Sequence, residues 1–174
     1  MKRELTEREQ LCLDILDQSG QPERVISHCK GVAHTAEVLA QRLNEKGCSL
    51  DVSLCFRSGL LHDICRTEKH HAHKGKSLLR TKGLLPEAEI VGTHMGENLD
   101  ASRLSEAAVV CLADKLTAGG ARVRISERFE PALTRFADDP EVFPLVKARY
   151  ETALKLETLA LQVLGTDLQN LSFD

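Results

Sequence analysis

The stretch PERVISHCKGVAHTAEVLAQRLNEKG, residues 22–47, decides the class of the fold. Its apolar side chains recur at intervals of three and four, which is the period of one helix face: Val25, Val32, Ala36, Leu39 and Leu43. Pro22 suits the first turn of a helix, and Gly47 suits the residue that follows a last turn. The pattern therefore predicts a long helix that buries one face against the rest of the protein.

The same helical period continues on both sides of this segment, and no run alternates convincingly in the manner of a strand. The first helix has the capping-box residues Thr6 and Glu9. Further helices are predicted over 6–20, 51–64, 73–83, 85–95, 105–120, 126–138 and 140–164. We expect an all-α fold, a compact helical bundle of about seven to eight helices. The expected domain is a single one, 1–174, with its core at about 24–125, C-terminal helices at 126–164 and a loose tail at 165–174.

The composition excludes several classes of protein. The chain has 23 basic and 26 acidic residues, so its net charge of -3 does not favour a dedicated nucleic-acid or anionic-membrane binder, and an anionic ligand should be small. The six cysteines are scattered without a C-x-x-C pair, and the charged N-terminus is unlike a secretory signal, so we expect reduced thiols and a cytoplasmic protein. No apolar run approaches the roughly 20 residues that span a bilayer.

Histidines and aspartates interrupt the apolar faces of several predicted helices. His28 lies on the stripe of residues 22–47, and His62 and Asp63 end the apolar run of GLLHDICR. His94 and Asp114 share faces with apolar neighbours in EIVGTHM and VVCLADKL. A carboxylate withdrawn from water needs a partner of opposite charge. Taken singly, these residues fit a hydrogen-bonded core histidine or a salt bridge between helices, but a shared metal explains all of them together.

The cluster KHHAHKG, residues 69–75, contains three further histidines. On a helix that continues to Leu78, His71 falls within about 20° of that leucine and is the inward candidate. Gly75 and Gly59 are small enough to leave space for an ion beside the ligands. His34 is expected to face solvent, and His70 and His73 are expected to face solvent or to lie behind the metal's direct ligands.

Two cations follow the proposed ligands in sequence. Arg66 lies three positions after Asp63, and Lys115 adjoins Asp114, so both could neutralise a phosphate near the metals. Each also fits an ordinary surface charge or an ion-pair partner. The arginines of ARVRISER either close a polyphosphate site or belong to a solvated helix start.

The ordered set of a histidine, an adjacent His-Asp pair and a distant aspartate resembles the HD-domain metal-dependent phosphohydrolase superfamily over roughly residues 24–125. The segments SHCKGVAHTAEVLA, GLLHDICR, HAHKG and LADKL are similar to one branch, the HD domains that accompany nucleotidyltransferases of molybdenum-cofactor metabolism. They are more distantly similar to HD enzymes that hydrolyse symmetrical dinucleoside tetraphosphates. The chain departs from the usual HDIGK form at Cys65 and Arg66, which keeps a cation but leaves the substrate open.

The resemblance implies two metal ions. One would be bound by His28, His62, Asp63 and Asp114, and the second by His71 and His94, with Asp63 bridging them. It also implies a small phosphorylated substrate, a nucleotide in the first instance, and a nucleotidyltransferase as a possible partner. The single tyrosine and five phenylalanines offer no obvious aromatic platform for a base.

Imidazole and carboxylate ligands without thiolates favour borderline divalent metals. We expect Fe or Mn, with Co, Ni and Zn as alternatives. Such ions promote the attack of water on a phosphoryl group, and Asp63, Arg66 and Lys115 are the candidate catalytic residues. Three functions stay open: a metal-dependent phosphohydrolase, a di-iron oxygenase with a similar ligand set, and a non-catalytic module that binds a metal or a nucleotide.

Overall fold

The computed structural model describes residues 3–168 and has an all-α architecture, as predicted. Within this range there are eight helices and one short antiparallel hairpin. The elements are α1 Glu7–Asp17, α2 Glu23–Glu45, α3 Val52–Leu61, α4 His71–Thr81, α5 Leu85–Thr93, α6 Glu106–Lys115, β1 Thr117–Ala118, β2 Ala121–Arg122, α7 Ile125–Arg135 and α8 Val142–Leu164. Between residues 3 and 168, no helix is both long enough and apolar enough to cross a membrane.

Helix α2 is the centre of the bundle, as its long apolar stripe predicts. It packs most extensively against α3 and α6, and its residues belong to both clusters of the hydrophobic core. One cluster joins α2 to α6, α7 and α8, and the other joins it to α1, α3, α4 and α5. The division of the chain into domain core, C-terminal helices and tail stays a prediction.

Helix α1 begins with the predicted capping box. The Thr6 hydroxyl accepts from the Glu9 N–H at 3.3 Å, and the Glu9 carboxylate accepts from the Thr6 N–H at 2.8 Å. Burial raises the pKa of Glu9, but hydrogen bonds from Arg3, Ser53 and Thr6 outweigh burial and hold it at about 2. This buried carboxylate therefore ties α1 to α3 in its charged form.

Several predicted helices end earlier than the sequence indicated. Helix α3 stops at Leu61 rather than at residue 64, and α6 stops at Lys115 rather than at residue 120. After α6 the chain forms the hairpin, in which Thr117 pairs with Arg122 and Ala118 with Ala121. Strands of two residues are too short to produce a recognisable alternation.

The glycines predicted to leave room for an ion serve helix packing instead. A Cβ at Gly59 would lie 2.6 Å from the Ala33 Cα, so the missing side chain allows α3 to approach the backbone of α2. A Cβ at Gly75 would lie 3.0 Å from Val91 and 3.3 Å from Ile64. The prediction of open space beside these residues is wrong, because neighbouring helices fill it.

The C-terminal helices lie close to their predicted ranges, and the residues directly after α8 pack against the bundle. Gly165 ends α8 in a left-handed conformation, and Leu168 is fully buried in the core cluster of α2, α6 and α8. The Arg122 guanidinium donates to the Leu168 carbonyl. Residues 165–168 are thus held against the domain, and the rest of the predicted tail, 169–174, lies outside the described residues.

Candidate metal centre

The six predicted ligands lie on, or just after, five helices and converge on one place. His28 lies within α2 and Asp114 within α6, whereas His71 is the first residue of α4. His62 and His94 are the residues that immediately follow α3 and α5. The expectation that every ligand lies on a helix is therefore wrong for His62, Asp63 and His94, which lie just beyond helix ends.

These side chains form two groups that share Asp63. One group is His28, His62 and Asp63, and the other is Asp63, His71 and His94; within each group the potential ligand atoms lie within 4.8 Å of one another. The His71 and His94 Nε2 atoms are 3.1 and 3.4 Å from Asp63 Oδ1. The His62 Nε2 atom is 3.7 Å from Asp63 Oδ2. The two Asp63 oxygens thus face different histidines.

Asp114 lies outside both groups but directly against the first one. Its Oδ1 is 3.0 Å from His28 Nε2 and 3.6 Å from His62 Nε2. Its carboxylate also accepts from the Lys115 ammonium, which in turn donates to the His94 carbonyl at 3.2 Å. The structure therefore brings all six predicted side chains together, with Asp114 held between two histidines and a lysine.

The chemistry of the donor set fits a metal. The His62 Nδ1 lies 2.8 Å from the Gly59 carbonyl, and the His94 Nδ1 lies 2.7 Å from the Val91 carbonyl. A carbonyl can only accept, so each Nδ1 carries the hydrogen and each Nε2 presents a lone pair to the centre. The His62 Nε2 is buried and has no hydrogen-bond partner among the described residues. Such an orphaned acceptor is what a metal ligand requires.

The charges at the centre favour the same interpretation. Burial lowers the pKa of His62 to about 4, so this imidazole is neutral near pH 7 and available as a ligand. Burial alone raises the pKa of Asp63, but its interactions with His62, His71 and His94 hold it well below its usual range, so the carboxylate is charged. Imidazoles around a carboxylate are the donor set that borderline divalent metals select.

Asp114 and Lys115 form a buried ion pair beside the histidines. Burial raises the pKa of Asp114, but the Lys115 charge and the bond to His28 lower it well below the ordinary value. Burial lowers the pKa of Lys115, but Asp114 reverses this and raises it. Both groups are therefore charged, and Lys115, only 6% exposed, supports Asp114 rather than facing solvent.

A comparison with protein families identifies the domain. The model of the HD domain matches residues 25–119, which is more than half of the chain and contains all six side chains of the centre. The chain belongs to the HD domain family. This family indicates the metal-dependent phosphohydrolase superfamily, and HD domains bind divalent metals.

Relatives of this HD domain are distant and mostly longer proteins. The chain is 31% identical over 137 residues to a tRNA (cytidine(56)-2'-O)-methyltransferase of Thermoplasma volcanium, an alignment that covers 68% of the chain and 39% of that protein. It is 33% identical over 135 residues to ribonuclease Y of Aquifex aeolicus, covering 74% of the chain and 23% of the relative. An uncharacterized protein of Methanocaldococcus jannaschii is 32% identical over 132 residues, covering 64% and 78% respectively. No solved structure matches the chain significantly.

Arg66 and three other histidines lie outside the two groups of the centre. Arg66 is about half exposed, and its Nε lies 3.3 Å from Asp63 Oδ2. His34, His70 and His73 are exposed, and none of them belongs to either group of the centre. Of the three histidines in residues 69–75, the structure places His71 in a group of the centre.

Two cavities open beside the centre, and both include Asp63, Arg66 and Arg128 in their walls. The first, of about 540 Å³, also contains His28, Arg24 and the hairpin residues Ala118 and Gly119. Sequence reasoning missed Arg24, although it lies four residues before His28, which is the spacing of one helix face. The second cavity, of about 340 Å³, extends beyond the HD domain match to α7 and α8.

Proposed function

We propose that this protein is a metal-dependent phosphohydrolase that cleaves a phosphoester or phosphoanhydride of a small anionic substrate, in the first instance a nucleotide. The observation that carries the proposal is the pair of three-residue groups that share Asp63, together with the His62 Nε2, which has no hydrogen-bond partner among residues 3–168. Shared carboxylates of this kind are typical of sites that hold two ions.

The ligands proposed for one ion are His28, His62, Asp63 and Asp114. Those proposed for the second are His71 and His94, again with Asp63. Iron and manganese suit a mixed imidazole and carboxylate set, and cobalt, nickel and zinc have similar preferences. A bound divalent ion supplies Lewis-acid polarisation of the phosphoryl group and makes water a stronger nucleophile.

The residues around the ions have separate proposed roles. Arg66 reaches Asp63 from a half-exposed position and is present in both cavities, so its guanidinium is the proposed contact for a phosphate oxygen. Lys115 was also a candidate phosphate contact, but its ammonium already donates to Asp114 and to the His94 carbonyl. We therefore assign Lys115 to positioning these ligands.

A small substrate agrees with the charge of the chain. One relative is named a ribonuclease, but the chain spans only 23% of that protein. A net charge of -3 does not favour a long polyanion, whereas arginines 24, 66 and 128 at one cavity suit a compact phosphate. The six cysteines are free thiols, which is consistent with a reducing compartment such as the cytoplasm. A nucleotidyltransferase partner stays a prediction.

The test is anaerobic purification, metal analysis and a phosphate-release assay with Mn, Fe, Co and Ni over nucleotides and simple phosphate esters. Release from at least one substrate is expected, together with its loss in Asp63→Asn. The matched control is His34→Ala, because His34 is exposed and outside both groups. Oxygen consumption without phosphate release would replace the proposal by the di-iron oxygenase alternative. A folded protein that binds metal and performs neither reaction would leave the regulatory module.

A further inference from the structure

The second cavity changes character along its length. At one end it is lined by Asp63, His94 and Asp114, the side chains of the candidate metal centre. At the other end its walls are apolar side chains from the loop after α5 and from α7 and α8: Met95, Phe129, Ala132, Phe136, Val142 and Val146. We call this apolar end the α7–α8 chamber.

The aromatic walls of the α7–α8 chamber are held in place by their neighbours. Phe129 is 7% exposed, and its ring centroid lies 5.2 Å from that of Tyr150 on α8. Phe136 is half-buried at the end of α7, and the Arg135 guanidinium lies 5.2 Å from its ring centroid. These contacts fix two ring faces before any ligand arrives, which reduces the ordering cost of binding.

Three arginines also line the second cavity. Arg66, Arg128 and Arg149 belong to the same cavity. Arg149 forms an ion pair with Glu97, but its Nε is buried and has no hydrogen-bond partner among residues 3–168. A ligand that suits this cavity is therefore anionic at the metal end and apolar at the other end.

The size of the cavity limits the ligand further. Its volume of about 340 Å³ lies near the lower end of the ~300–1,000 Å³ range of small-molecule sites. A single ring system on a short linker fits this volume. The chamber walls on α7 and α8 also lie outside residues 25–119, so they do not belong to the part of the chain that matches the HD domain.

We propose that the α7–α8 chamber binds an aromatic ring of the substrate's organic group while the phosphate lies at the metal centre. This inference rests on the proposed function, because it assigns the leaving group of the same reaction. The substrate class is an aryl or heterocyclic phosphate, and the chamber selects it over phosphates with small aliphatic groups. Sequence reasoning found no aromatic platform, but Phe129 and Phe136 supply one.

The experiment compares phenylphosphonate with methylphosphonate by calorimetric titration of the full chain loaded with Mn. Both carry the same anionic head, and neither has a phosphoester bond, so binding is measured without turnover. We expect phenylphosphonate to bind about tenfold more tightly, because only the phenyl ring buries apolar surface in the chamber. Equal affinities, or no binding of either compound, would overturn the inference.

Variants locate the preference in the chamber. Ala132→Leu fills the chamber from α7, so the preference for phenylphosphonate should fall to about one- to twofold. Ala148→Leu makes the same change at an exposed position on α8 outside the cavity and should keep the wild-type ratio. If Ala132→Leu does not fold, Phe136→Ala provides the second test, with weaker phenylphosphonate binding and unchanged methylphosphonate binding. If a folded chamber variant prefers phenylphosphonate over methylphosphonate as strongly as wild type does, the assignment is refuted.

The two proposals fail in different ways. If the aryl preference depends on the chamber but no ester is hydrolysed with any metal, the proposed function is wrong and the binding site stands. If phosphate is released equally well from aryl and alkyl esters and the phosphonates bind equally, the enzyme stands and the chamber assignment is wrong.

Discussion

Replacing Lys115 by methionine tests how the candidate metal centre keeps its carboxylate charged. The ammonium is 6% exposed and its partner Asp114 is 5% exposed, so the substitution leaves a buried carboxylate without its cation. Removing one partner of a buried ion pair costs about 3–5 kcal/mol. We expect about 3 kcal/mol, the lower value, because His28 still lies 3.0 Å from Asp114 and can donate to it.

The assay is thermal unfolding of the metal-free protein. For a chain of this length each kcal/mol corresponds to about 2–4 °C in Tm, so Lys115→Met should lower Tm by about 6–12 °C. Lys155→Met, at an exposed position on α8, is the matched control and should change Tm little. The apolar length of methionine is similar to that of lysine, so the difference isolates the lost charge.

Adding a divalent metal gives the same variant a second, independent test. A cation at the centre supplies the counter-charge that Asp114 has lost, so the Tm difference between Lys115→Met and wild type should narrow when metal saturates both proteins. Two results would refute the reasoning. In the first, metal-free Lys115→Met is no less stable than the Lys155→Met control. In the second, the Tm difference between Lys115→Met and wild type is the same with and without metal.

Further substitutions test other parts of the structure. His94→Ala should remove about one metal ion per chain by elemental analysis and most of the turnover; full metal content with lost turnover would indicate one ion. His62→Ala should abolish phosphate release, whereas His34→Ala should retain it. The pKa of Glu9 is about 2 against an ordinary 4.5, so the ionised carboxylate stabilises the folded protein above pH 4.5, and this stabilisation is lost as the pH falls toward 2. Glu9→Gln should therefore reduce the loss of stability at acid pH that urea unfolding measures. Gly59→Ala should cost about 1–3 kcal/mol in the same measurement, since α2 backbone lies 2.6 Å from the added carbon.

The convergence of the candidate ligands could be predicted because burial of a helix face is a local property of the sequence. His28 lies between apolar residues three before and four after it and is buried, whereas His34 on the same helix is exposed. The same reasoning selected His71 rather than His70 or His73 in the next cluster. Periodicity thus separates inward from outward histidines without knowledge of the partner helices.

The features that escaped prediction depend on contacts distant in sequence. The close approach at Gly59 depends on the backbone of α2, which the sequence around residue 59 does not reveal. The chamber depends on how α7 and α8 pack beside the end of α5. A local signal existed, because Phe129 and Phe136 are seven residues apart and so share a helix face. This spacing did not indicate which other helices that face would pack against.

The groups that hold the candidate ligands in position differ in whether a substitution can remove them. His62 and His94 each follow the last residue of a helix, and each Nδ1 bonds the carbonyl three residues earlier. Last-turn carbonyls lack helical partners, so the helix end itself fixes the direction in which each Nε2 points. No side-chain substitution at the accepting residues removes those backbone acceptors. Asp114 instead depends on the Lys115 side chain, which a mutation can delete. Among related sequences, metal affinity should therefore depend more on the residue that follows this aspartate than on the residues that precede the two histidines.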